Sequence, residues 1–85
     1  MLVGLQIRAA RALLDMTQKE LSKISGVKTQ TLRSWEETNG LVRGRLDLVT
    51  KVKDVLEKRG IEFIDGDGDD YKIGMGVRLN PNNKN

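Results

Sequence analysis

The sequence predicts a mainly α-helical fold of four to five helices that ends in a short β-hairpin or strand extension. Apolar residues recur at helical spacing through residues 2–59, as expected of helices that each bury one face. Glycine and capping signals divide this part into short helices. After Gly60 the composition changes from Leu, Val, Ile, Lys and Arg to Gly, Asp and Asn, which marks a segment of a different kind.

Length and composition predict one small domain and exclude most catalytic chemistry. The 85 residues suffice for one modest core, since two domains would leave each with too few apolar residues. The absence of His and Cys excludes disulfides, Cys- or His-ligated zinc, thiol nucleophiles and His acid–base catalysis. We therefore expect no enzyme, no cofactor and no metal. The lack of a long apolar run or a secretory signal predicts a cytoplasmic protein that does not enter a membrane.

The first helix is predicted over residues 2–15, where apolar residues form two stripes at helical spacing. One stripe contains Leu5, Ala9, Ala12 and Leu13, and the other contains Ile7, Ala10 and Leu14. The more polar positions are filled by Arg8, Arg11 and Asp15.

The second helix has strong signals at both ends. Thr17 and Glu20 fit a capping box, in which each side chain bonds the backbone amide of the other residue. The helix continues with Leu21 and Ile24 facing inward. It ends at Gly26, because glycine adopts the left-handed backbone conformation at little cost.

The third helix is predicted to begin near Lys28 or Thr29 and to end by residues 38–40, Thr-Asn-Gly. Leu32 and Trp35 share one face of this helix. Trp35 is therefore interpreted as a core residue rather than as a platform on which bases stack.

The fourth helix follows the loop at residues 40–45 and runs from about Leu46 to Arg59, where Gly60 ends it. Its inward-facing residues are predicted to be Leu48, Val52, Val55 and Leu56.

The C-terminal segment predicts two short strands, Ile61–Ile64 and Val77–Leu79, with an acidic turn at Asp65–Asp70 between them. This turn begins like a calcium-binding loop, but Asp70 and Gly76 stand where that loop requires Gly and Glu, so a flexible hairpin tip is the better interpretation. The predicted organisation is a helix-turn-helix domain at residues 1–60, a β extension at 61–79 and a disordered tail at 80–85.

Residues 17–36 predict a helix-turn-helix, because a capped helix, a glycine turn and a second short helix follow one another. Leu21, Val27 and Leu32 are spaced to hold the two helices at a large mutual angle, which leaves the outer face of the second helix free. In DNA-binding proteins of this kind the second helix lies in the major groove. An ordinary helical bundle that contains a glycine turn is the alternative.

The same residues resemble the Cro/repressor-type, or XRE-like, helix-turn-helix family. The resemblance lies in Thr17-Gln18-Lys19-Glu20-Leu21, Ser25-Gly26-Val27, Thr31-Leu32 and Trp35-Glu36, and its pattern extends over residues 5–59. The C-terminal segment is similar, more weakly, to an extension of some small bacterial members. The resemblance implies a small bacterial or phage-like transcriptional regulator that binds DNA.

The resemblance also implies which residues contact DNA, with solvated surface side chains as the alternative at each position. The residue that holds a phosphate and braces the recognition helix is Gln18. The residues that face base edges are Thr29, Gln30 and Ser34. The residues beside them, with phosphate or base contact, are Lys28, Thr31 and Arg33. The residues that touch the DNA backbone are Arg43 and Arg45.

Two residues depart from the family pattern. Lys28 occupies the position where a Ser or Thr cap is usual, so Thr29 is an alternative cap and would then lose its base-reading role. Ser22 occupies a position where Ala is usual, and its hydroxyl must bond the backbone of its own helix or loosen the helix pair.

The charge distribution supports a polyanionic partner better than the net charge of +3 does. Residues 1–64 carry 12 basic and 8 acidic side chains (net +4), whereas residues 65–85 carry three basic and four acidic ones (net −1). We therefore predict a partner that is double-stranded DNA and a regulator, most simply a repressor, that acts by occupying its operator. No small-molecule effector is expected.

The β extension leaves two further interpretations open. Two short strands are marginal alone, so they must dock on the helices or pair with another chain. A homodimer is favoured, and its candidate contacts are Phe63, Ile64, Val77 and Leu79. Alternatively, the chain is an antitoxin or other protein-interaction module whose strand adds to a partner's sheet edge, with or without DNA binding.

Overall fold

The computed structural model of the chain describes residue 2 and the ranges 4–38, 42, 44–66 and 73–80. It contains four helices followed by two strands: α1 (Gly4–Leu13), α2 (Gln18–Ser25), α3 (Thr29–Thr38), α4 (Leu46–Lys58), β1 (Ile61–Ile64) and β2 (Gly76–Leu79). The predicted mainly α fold with a C-terminal hairpin is confirmed.

Helix α1 is shorter than the predicted 2–15 because the chain turns at Asp15. Asp15 has φ 54°, in the left-handed region that non-glycine residues rarely occupy. The Met16 amide donates to the Arg11 carbonyl (2.9 Å) and the Asp15 amide donates to the Ala12 carbonyl (3.2 Å). This paired 6→1 and 5→2 bonding is a Schellman motif, which ends the helix without a glycine.

Helix α2 has both predicted boundaries. The Glu20 amide donates to Thr17 Oγ1 (3.0 Å) and the Thr17 amide donates to Glu20 Oε1 (3.1 Å), so the capping box is confirmed. Gly26 has φ 76° and its amide donates to the Ser22 carbonyl (2.9 Å), which confirms the glycine stop. These caps fix a helix of only eight residues between two defined turns.

Helix α3 begins without a capping side chain. The Lys28 carbonyl accepts bonds from the amides of Thr31 (3.0 Å) and Leu32 (3.1 Å), so Lys28 occupies the capping position of the backbone. Thr29 is the first residue inside the helix. The alternative that Thr29 serves as the cap is therefore wrong, because Thr29 lies inside the helix.

The hairpin closes directly after α4. Gly60 has φ 98° and accepts a 2.7 Å bond from the Asn80 amide, which brings β1 and β2 together. The strands are antiparallel, with Ile61 opposite Leu79 and Phe63 opposite Val77. These four side chains lie on one face of the sheet.

The hairpin is joined to α1 by a buried amide. Gln6 of α1 donates from Nε2 to the carbonyls of Ile64 and Gly76, each at 3.0 Å. One side chain thus bonds both strands at the same register position. The β extension therefore docks on the helices of its own chain, as the sequence allowed.

The core lies between the four helices and the inner face of the hairpin. Its buried apolar residues are Leu2, Ile7, Ala10, Leu21, Val27, Leu32, Trp35, Val52, Leu56 and Ile61. This list confirms Trp35 as a core residue. Of the two stripes of α1, the one with Ile7 and Ala10 is buried, whereas Leu5 and Leu13 of the other are exposed.

Candidate nucleic-acid interface

Helices α2 and α3 form a helix-turn-helix with a buried apolar interior. Leu21 of α2, Val27 of the turn and Leu32 of α3 are fully buried, as predicted for the residues that hold the two helices together. Because these side chains fix the inner face of α3, the opposite face is the one left to solvent.

The exposed face of α3 is polar and continuous. Gln30, Arg33 and Ser34 are exposed, and their spacing of three and four residues places them on one side of the helix. Thr29 and Thr31 flank this face and are half-buried. The structure therefore brings together all the α3 residues that the sequence singled out.

Glu37 belongs to the same face, although the sequence analysis did not select it. It lies seven residues after Gln30 and four after Arg33, and it is exposed. The face thus combines an amide, a guanidinium, a hydroxyl and a carboxylate. The seven-residue spacing was the available signal, since the motif positions end before this residue.

Gln18 lies at the first position of α2 and reaches α3. Its Nε2 donates to Oε1 of Glu36 at 3.2 Å, so the side chain links the start of α2 to the last turn of α3. Beside it lies a depression of about 380 Å³, lined in part by Arg11, Asp15 and Thr17. Helix N-termini in general attract anions, since their first amides have no partner within the helix.

A buried ion pair supports Gln18 from behind. Glu36 of α3 is only 3% exposed. Arg11 of α1 donates to its two carboxylate oxygens from Nε (2.9 Å) and Nη2 (2.5 Å). The same guanidinium also donates from Nη1 to the Met16 carbonyl at 2.9 Å. Three elements are thereby tied together: α1, the α1–α2 turn and α3.

This ion pair was not predicted from the sequence, in which Arg11 is only a polar position of α1. Glu36 follows Trp35, which faces the core, and a carboxylate next to a core tryptophan was the available signal. Its cationic partner lies 25 residues away in the sequence. No local spacing rule connects two positions that far apart.

Of the two arginines predicted to contact the DNA backbone, the structure describes only Arg45. Arg45 is exposed at the start of α4, and its Nε and Nη2 donate to the two carboxylate oxygens of Asp47 at 3.2 and 2.7 Å. These hydrogen bonds hold the pKa of Asp47 below its ordinary value. Arg43 lies outside the described residues. Lys28, four positions before Leu32, is exposed beside the polar face of α3.

The candidate dimer contacts lie mostly on the inner face of the hairpin. Phe63, Val77 and Leu79 are half-buried and pack against the core of their own chain. Ile64 is exposed. The acidic tip beyond Gly66, with its calcium-loop resemblance, and the tail after Asn80 lie outside the described residues.

The structure adds two findings on other kinds of site. None of the helices in the described ranges has the length and apolar run that a membrane span requires. Within the same ranges, no three carboxylates are grouped to hold a metal ion.

Comparison with known proteins agrees with the geometry. A family model described as helix-turn-helix matches residues 7–37, which covers most of α1, all of α2 and nearly all of α3. No curated protein gives a significant match to the chain. The matched segment contains the capping box, the glycine turn and the polar face of α3. This match agrees with the resemblance of the same residues to the Cro/repressor-type, or XRE-like, helix-turn-helix family.

Proposed function

We propose that the chain is a sequence-specific double-stranded DNA-binding protein that represses transcription by occupying its operator. The observation that carries this proposal is the exposed polar face of α3, held on a helix whose opposite side is fully buried. A rigid helix with an uncommitted polar face is what major-groove recognition needs.

Base edges would be recognised by Gln30, Arg33, Thr29 and Ser34. A glutamine amide bonds adenine N6 and N7 together, and an arginine bonds guanine O6 and N7 together. A threonine methyl contacts the thymine methyl, and a serine hydroxyl can accept or donate a hydrogen bond at a base edge. The four residues lie within the first two turns of α3, the part of a recognition helix that lies deepest in the groove.

Phosphates would be held around this face. Lys28 and Thr31 lie at the start of α3, Gln18 lies at the start of α2, and Arg43 and Arg45 precede α4. Helix N-termini and basic side chains are ordinary phosphate ligands and supply salt-dependent affinity. The bond from Gln18 to Glu36 supports this role, because it fixes the amide relative to α3.

The function is tested by selecting bound fragments from random double-stranded DNA and sequencing them. We expect one enriched motif, palindromic if two copies bind together. Binding without enrichment, or binding that does not weaken as salt rises, would overturn the proposal.

Two variants then separate base reading from phosphate binding. Gln30→Ala should weaken binding to the selected site by roughly 1–3 kcal/mol and relax the preference at one base pair. Arg45→Ala should weaken all sequences alike and lower the salt slope by about one. Arg59→Ala is the matched control, since Arg59 is also an exposed arginine but caps the opposite end of α4, about 20 Å along the helix from Arg45. Equal effects of the two arginine variants would contradict the assignment of Arg45.

A further inference from the structure

The polar face of α3 contains an exposed carboxylate, Glu37, in the last turn of the helix. Glu37 forms no ion pair with any residue that the structure describes. Arg33 lies four residues before it, but a basic residue followed by an acidic one is the weaker order for such a pair, and the two side chains are not joined. The described part of the chain therefore leaves this carboxylate to solvent.

Glu37 lies at the centre of the polar face and not at its edge. At about 100° per residue, it is turned only about 20° from Gln30 and lies between Gln30 and Arg33 around the helix axis. The half-buried Thr29 and Thr31 lie at the two edges, each about 100° from Gln30. When such a face enters the major groove, its edges meet the phosphate-lined walls and its centre meets the base edges. The position of Glu37 therefore directs it to base edges.

We propose that Glu37 is a specificity-determining residue that selects cytosine by accepting a hydrogen bond from its N4 amino group. This inference rests on the proposed function, because it needs α3 in the major groove. A carboxylate only accepts hydrogen bonds. Cytosine presents a donor there, adenine presents a donor beside the acceptor N7, and guanine and thymine present acceptors that repel a carboxylate. The expected order of preference is cytosine, then adenine, then guanine or thymine.

The helical spacing indicates where this cytosine lies relative to the base that Gln30 selects. Seven residues of helix rise about 10.5 Å, and successive base pairs are about 3.4 Å apart. With α3 lying along the groove, the cytosine is expected about three base pairs from the adenine bound by Gln30. Arg33 lies between Gln30 and Glu37, and its positive charge offsets the repulsion between the carboxylate and the phosphates.

Selection from random double-stranded DNA with the full chain and with its Glu37→Gln variant tests the inference. We expect the unaltered chain to enrich a motif with cytosine at one position. Glu37→Gln should change that position to adenine, because a glutamine amide bonds adenine N6 and N7, and should leave the other positions unchanged. Glu57→Gln is the matched control, since Glu57 is also an exposed helical glutamate but lies on α4, and its motif should match that of the unaltered chain.

Fluorescence anisotropy then measures the discrimination on two sites that differ only at this position. The unaltered chain should prefer cytosine over guanine by about fivefold or more, and Glu37→Ala should lose most of this preference. Circular dichroism should show the same helix content in both proteins.

Two outcomes would overturn the assignment of Glu37 while leaving the proposed function intact. The first is a motif that Glu37→Gln does not change. The second is a Glu37→Ala variant that binds both sites more tightly by the same factor, because the carboxylate would then face phosphates and not a base. A chain that enriches no motif at all would overturn the proposed function, and this assignment with it.

Discussion

At the scale of single residues, Gly4 sets how closely α1 and α3 approach. A Cβ built on Gly4 would overlap the backbone carbonyl oxygen of Trp35. Gly4→Ala should therefore lower the free energy of unfolding by about 2 kcal/mol or more, although alanine is the better helix former. Urea denaturation followed by tryptophan fluorescence measures this, with Gly76→Ala as control because a Cβ there meets nothing within 4 Å. Equal free energies of unfolding of the two variants would show that α1 and α3 can move apart without loss of stability.

Lys28 shows a residue at which stability and binding oppose each other. It occupies the capping position of α3, where a lysine offers no acceptor to the first helical amides. Lys28→Ser should stabilise the fold by about 1 kcal/mol and at the same time reduce the salt slope of DNA binding by about one. Thermal unfolding and salt titrations of the same preparation test both effects. A variant that gains stability without losing affinity would remove Lys28 from the DNA contacts.

At the scale of elements, the Arg11–Glu36 pair decides how α1 and α3 are joined. Glu36→Met should destabilise the fold by about 3–5 kcal/mol, because Arg11 keeps a largely buried charge without its partner. The double variant Arg11→Met/Glu36→Met should recover much of this loss, since it leaves no unpaired charge. Urea denaturation of both single variants and of the double variant gives the interaction free energy between Arg11 and Glu36. Additive losses would mean that the pair contributes nothing as a pair.

The elements also show which features the sequence could predict. The ends of α2 were predictable because the Thr17–Glu20 box and Gly26 are local signals. The end of α1 was not predictable, since Asp15 adopts a left-handed backbone conformation that its residue type does not require. The polar face of α3 follows from helical spacing around buried Leu32. By contrast, the contacts of Glu36 are formed between distant segments, where spacing gives no information.

At the scale of the whole molecule, the hairpin packs against the same core as the helices. The amino-acid composition changes near Gly60, and this change predicts a boundary there. Yet Ile61 is fully part of the core, and Gln6 of α1 bonds the carbonyls of Ile64 and Gly76. Composition does not report this docking, because a buried glutamine in a helix looks like any polar position in the sequence.

A truncated chain tests whether the helices need the hairpin for their stability. Ending the chain after Gly60 removes Ile61, whose burial alone is worth about 1.5–3 kcal/mol, and exposes the surfaces of α1 and α4 that the hairpin covers. We expect the 1–60 fragment to lose about 3 kcal/mol or more and to unfold over a broad temperature range. Ending the chain after Asn80 retains every described contact and should preserve the transition. Calorimetry compares the two, and a 1–60 fragment as stable as the 1–80 chain would mean that the helical body folds independently of its hairpin.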